Sequence, residues 1–127
     1  MKTLGIGVDI VKNQRIKSLV KNRNFIKRVF SKNEILNSKL IKNKTFYYSK
    51  RFAAKESFAK ALGLGFRKGL NLKDIEILND RLGKPYYNKN NKVNRMVQKT
   101  FNVKKFNLFL SISDEKDYSI AFTIIES

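Results

Sequence analysis

Glu56 is hard to explain as scaffolding. It stands in RFAAKESFAKALG, Arg51 to Gly63, a run of strong helix formers closed by a glycine suited to a left-handed cap. On a helical wheel Phe52, Ala53 and Ala59 surround it, and Lys60 lies one turn further along the same face. An unpaired carboxylate on a packed face is costly, so some cation must compensate it. Either Lys60 does so as an ordinary i, i+4 pair, or the cation comes from outside the chain. A second acid, Asp9, stands near the end of an apolar stretch, TLGIGVDIV, on the same side as Gly5 and Gly7. It is a turn former or a ligand. The chain has no histidine and no cysteine, which removes imidazole and thiolate ligands and the usual general base. Any metal here must be held by oxygen, as magnesium, calcium and manganese are. Gly63 to Gly69, GLGFRKG, offers backbone amides beside Arg67 and Lys68 that could cradle phosphate, although its spacing is not that of a Walker loop.

These residues need elements to position them. Thr3 to Val11 alternates as an opening strand with Leu4, Ile6, Val8 and Ile10 on one side. Gly5 and Gly7 leave the other side open to close approach by something bulky. Asn13 to Asn22 predicts a short basic helix with Ile16, Leu19 and Val20 as its apolar stripe. Arg15, Lys17 and Lys21 project elsewhere, and Arg23, Lys27 and Arg28 extend the positive surface, either as a solvated face or as a dock for an acidic partner. Ser31 and Glu34 form a capping box, with Phe30 and Ile35 as a hydrophobic staple, opening a helix that should run to about Ile41. That signature carries no chemistry by itself. Asp74 to Asn79 predicts a strand, Asn79 to Pro85 a turn and Val93 to Thr100 a short helix. Phe106 to Ser113 and Tyr118 to Glu126 predict an antiparallel hairpin. A strand, several helices and then mostly strands make an α+β protein.

The 127 residues suit one domain, 1–127, with no linker or repeat. No apolar run approaches the roughly 20 residues that span a bilayer, and the N-terminus reads as a strand rather than a signal peptide. The expected location is the cytoplasm. With 28 basic against 10 acidic residues the formal charge is +18, which favours a polyanionic partner. Lysine drift in an AT-rich genome would raise the same number, so charge alone does not name that partner.

The combination GIGVDIV (Gly5 to Val11), Phe30-Ser31-x-x-Glu34, RFAAKESFAKALG, Gly83-Lys84-Pro85 and the closing SISDEKDYSIAFTIIE resembles the holo-(acyl-carrier-protein) synthase family, the small bacterial 4'-phosphopantetheinyl transferases. The resemblance covers essentially the whole chain. It implies the 4'-phosphopantetheinyl transferase fold, mostly antiparallel sheet packed against a long helix and several short helices. It also implies magnesium-dependent transfer of the phosphopantetheine arm of coenzyme A to a serine of apo acyl carrier protein, releasing adenosine 3',5'-bisphosphate, in fatty acid biosynthesis. By resemblance Asp9 and Glu56 are the metal ligands and, with Lys60, the catalytic residues. Arg51, Lys60, Gly63, Gly65, Lys84 and Pro85 match coenzyme A-binding positions. Arg15 matches a basic residue that meets the carrier protein, and Arg23 extends that dock. Many members carry histidine where this chain has Asp114, so a histidine base is excluded. The serine proton is then left to Glu56 or to a water or hydroxide on the ion. The family also implies a homotrimer with its sites between subunits, and neither membrane nor nucleic acid as a partner. A basic nucleic-acid-binding module is the alternative, although no such motif occurs and the basic residues are dispersed. A metal-dependent nuclease using Asp9 and Glu56 would lack an accompanying acidic cluster.

Overall fold

The structure, a computed structural model, describes residues 1–63 and 70–127. Its elements are β1 (Thr3–Lys12), α1 (Asn13–Leu19), α2 (Arg23–Val29), α3 (Lys32–Ser38), α4 (Lys44–Leu62), β2 (Ile77–Asn79), β3 (Pro85–Tyr87), α5 (Asn91–Phe101), β4 (Asn107–Asp114) and β5 (Tyr118–Glu126), with a 3-10 turn at Leu72–Asp74. β5 is central in an antiparallel sheet of order β1-β5-β4, and β2 and β3 pair separately. The class is α+β, as the sequence predicts.

α4 organises the fold. Asn43 caps its start by accepting from the Phe46 amide, and Gly63, at φ 76°, closes it in the left-handed region. The helix is buried on nearly every side: Tyr47, Phe52, Ala54, Phe58 and Leu62 all belong to the core. Its backbone lies directly on the glycine side of β1. A Cβ on Gly7 would stand 1.8 Å from the Ser57 carbonyl oxygen, and one on Gly5 would stand 2.0 Å from that of Ala61. The expected close approach is therefore made by α4 itself, and it brings Asp9 to the flank of the helix.

Several boundaries differ from the sequence expectation. α1 stops at Leu19, and Arg23 opens a separate helix, α2, because the Asn22 side chain accepts from the Asn24 and Phe25 amides. The capping box at Ser31 and Glu34 is present in both directions, but α3 ends at Ser38 and the chain reaches Ile41 through single turns. The predicted strand over 74–79 begins as the 3-10 turn and pairs only from Ile77. The last hairpin forms as expected, with Asp114 opposite Ser119 at its turn.

The sheet's two faces reverse the usual arrangement. Small and polar residues of β5, namely Ser119, Ala121 and Thr123, face the core. Ile6, Val8, Ile10, Phe109, Ile120 and Phe122 stand on the outer face, with Ile6 at 57% and Ile10 at 61% exposure. Close approach of α4 over Gly7 keeps the middle of the inner face small, and the larger buried residues Val11 and Ile125 stand toward its two ends. A contiguous apolar surface is thereby left uncovered.

Candidate active site

The structure brings Asp9, Glu56, Lys60 and Arg15 together where β1 leaves the edge of α4. Lys60 Nζ donates to Asp9 Oδ1 at 3.0 Å and to the Val8 carbonyl at 3.1 Å. Lys60 thus pairs with the acid on the strand and not with Glu56 on its own helix, so of the two alternatives the ordinary i, i+4 pair is not formed. Glu56 is half-buried and joins none of the ion pairs among the described residues. Burial, and then the neighbouring Asp9 carboxylate, push its carboxyl from the ordinary 4.5 up to about 7, with Lys60 and Arg15 pulling the other way. Arg15, on α1, lies with its guanidinium 5.9 Å from the centre of the Phe52 ring, one turn before Glu56 on α4.

A half-buried carboxyl short of cations, beside a second carboxyl, suits a hard divalent ion bound by oxygen. Asp9 and Glu56 are only two such groups, and no cluster of three or more acidic ligands occurs among the described residues. Magnesium, which commonly keeps several waters and takes phosphate oxygens alongside one or two carboxylates, fits such a pair.

Arg51 lies elsewhere. Five positions before Glu56, it projects about 140° around α4 from that residue. It is buried, stacked with its guanidinium carbon 3.7 Å from the Tyr47 ring centre, and its Nη2 donates to Asn79 Oδ1. Its Nε has no hydrogen-bond partner among the described residues. The Asn79 amide in turn donates to the Gly83 carbonyl at 2.9 Å, which sets the Gly83–Lys84 turn beside Arg51. A cavity of about 650 Å³ opens here, lined by Tyr47, Lys50, Arg51, Asn79 and Gly83 among others. Lys84 is exposed and Pro85 begins β3. Two clusters therefore form on different faces of α4: Asp9, Glu56 and Lys60 on one, and Arg51 with the Gly83–Pro85 turn on the other. Gly63 is exposed at the end of α4, whereas Gly65 and the rest of the glycine-rich loop, 64–69, lie outside the described residues. Arg23 is exposed at the start of α2, and Asp114 is exposed at the end of β4.

One feature escaped the sequence reading. Lys55, counted there only as a helix former, is fully buried and paired with Glu34 of the capping box at 2.7 Å. Nothing in the sequence marked it, because a lysine within a run of helix formers has the composition of a solvated position.

Solved structures share the α+β fold at full length. A holo-(acyl-carrier-protein) synthase from Neisseria meningitidis aligns with a TM-score of 0.88 at 35% identity, over 98% of this chain and 99% of that one. The Bacillus anthracis synthase in complex with CoA (3',5'-ADP) aligns at 0.82 and 32% identity, over 100% and 99%. A holo-(acyl-carrier-protein) synthase of Pelagibacter ubique is 60% identical over 126 residues, 99% of this chain and 98% of that protein. Residues 5–123 match the family model of the 4'-phosphopantetheinyl transferase superfamily. The chain belongs to that superfamily and is a transferase.

Proposed function

We propose that this chain, working as a single domain in the cytoplasm, is a holo-(acyl-carrier-protein) synthase for fatty acid biosynthesis. It moves the 4'-phosphopantetheine group of coenzyme A to a serine of apo acyl carrier protein and requires magnesium. The serine oxygen forms a bond to the phosphorus that bears pantetheine, the pyrophosphate P–O bond breaks, and adenosine 3',5'-bisphosphate leaves. The observation that carries the proposal is the meeting of Asp9, Glu56 and Lys60 at one edge of α4.

Asp9 and Glu56 would hold magnesium, which when bound supplies charge that polarises the pyrophosphate and offsets the negative charge developing on the leaving phosphate. Lys60, exposed and reaching over Asp9, places a second cation beside the same oxygens. The serine proton passes to water or to Glu56. Arg51, whose Nε has no partner among the described residues, and the Lys84–Pro85 turn would receive the nucleotide end of coenzyme A. Arg15 and Arg23 would meet the acidic carrier protein, where complementary charge speeds encounter and fixes orientation.

The two clusters face different sides of α4, and the outer sheet face is apolar and uncovered. Both observations support a homotrimer in which one subunit's Asp9, Glu56 and Lys60 share a site with a neighbour's Arg51 and Lys84. The functional test is intact mass of an apo carrier protein after incubation with this chain, coenzyme A and magnesium. A gain of one phosphopantetheine is expected, and an unchanged mass with active controls would overturn the proposal.

A further inference from the structure

The Glu34–Lys55 pair has no part in the chemistry above, yet it is the most completely bonded polar group in the core. Both side chains have 0% exposure. The Lys55 ammonium spends its three donors on Glu34 Oε1 at 2.7 Å, the Leu72 carbonyl at 2.9 Å and the Ile75 carbonyl at 2.7 Å. Glu34 Oε1 also accepts from the Ser31 amide at 2.9 Å, and its Oε2 accepts from the Ile77 amide at 3.0 Å. Well-packed apolar residues often stabilise a core as well as a buried ion pair does, so stability is a poor reason for it. Its distinctive property is what it joins. Through it α3, the middle of α4 and the segment Leu72–Ile77 hold one fixed relation.

That segment leads straight into the hairpin. Ile77 begins β2, and two residues later Asn79 accepts from Arg51, which lies one turn before Lys55 on α4. The hairpin is therefore latched to α4 at two levels about 6 Å apart along the helix. The inner latch is the buried pair, and the outer one is Arg51–Asn79, at the rim of the 650 Å³ cavity. We propose that Glu34 and Lys55 are positioning residues: they set the height of the β2–β3 hairpin on α4, and so the spacing between Arg51 and the Gly83–Lys84 turn that governs affinity for the nucleotide end of coenzyme A. The inference rests on the coenzyme A reading of that cavity.

The test replaces the pair by apolar residues of similar size, Glu34→Leu with Lys55→Met, which removes the tethers to Leu72, Ile75 and Ile77 without leaving an unpaired buried charge. Calorimetry with adenosine 3',5'-bisphosphate should show at least tenfold weaker binding. The KM for coenzyme A should rise in parallel, while the KM for the carrier protein and kcat stay within twofold. A loss of packing alone would not single out one substrate. Asn79→Ala removes the outer, exposed latch to Arg51 together with the Asn79–Gly83 bond that seats the turn, leaves the buried pair intact, and covers the case in which the double variant fails to fold. It should weaken nucleotide binding at least fivefold. Wild-type-like nucleotide binding in a folded double variant, or in Asn79→Ala, overturns the positioning role alone. A wild-type protein that binds neither coenzyme A nor the bisphosphate overturns the cavity reading and the inference with it.

Discussion

Replacing Glu56 by glutamine should stabilise the metal-free protein at pH 8 and cease to do so at pH 5. The carboxyl titrates at about 7 in the fold instead of its ordinary 4.5, chiefly because it is half-buried and beside Asp9. A raised carboxyl pKa means that the folded state holds the proton more tightly than the unfolded chain. Below pH 4.5 both states are protonated and there is no penalty. As pH rises through 7 the folded state must carry the charge at a cost. The full shift would correspond to roughly 3 kcal/mol, but a half-exposed group is screened by solvent, and about 1 kcal/mol is the reasonable expectation. For a chain of this size that is about 4 °C in Tm. The assay is thermal unfolding with chelator at pH 5 and pH 8. Adding magnesium at pH 8 should raise the Tm of the wild type, because binding to the folded state alone stabilises it, and should leave Glu56→Gln unmoved. A gain equal at both pH values, or a variant less stable than wild type at pH 8, would refute the electrostatic reasoning. Equal stabilisation of both proteins by magnesium would refute the ligand role.

Asp9→Ala or Glu56→Ala should abolish phosphopantetheine transfer while leaving far-ultraviolet circular dichroism unchanged; mass spectrometry of the carrier protein reads the first effect. Reversing Arg15 and Arg23 to glutamate should raise the KM for the carrier protein more than that for coenzyme A, as steady-state kinetics would show. Gly7→Ala forces a methyl group to within 1.8 Å of the Ser57 carbonyl, against rigid backbone, and should cost about 3 kcal/mol or more in urea unfolding. If the proposed homotrimer forms through the outer sheet face, Val8→Asp with Phe122→Asp, adjacent on that face, should yield monomers in sedimentation velocity without unfolding the subunit, where the wild type sediments as a trimer.

Local chemistry was legible in the chain. Glycines at 5 and 7 announced a close approach, the capping box at Ser31 announced α3, and an acid among alanines marked Glu56 as a carboxyl whose burial is costly. Each follows from forces acting over a few residues: steric exclusion at Cβ, orphan amides at a helix start, and the cost of burying charge. What the tertiary structure alone decided is which long side chain meets which acid. Helical spacing put Lys60 within reach of Glu56, but the crossing of β1 over α4 brought Asp9 nearer, and the lysine went there. Lys55 had the composition of a solvated helix residue until α3 and the Leu72–Ile77 segment enclosed it. Alternation in β1 and β5 marked an apolar side without saying whether it faced inward. The helix resting on the glycines took the inner face, and Ile6, Val8, Ile10 and Phe122 were left outside. Spacing fixes which groups can meet; packing of distant segments selects among them, because burial and partner distance are properties of the whole fold.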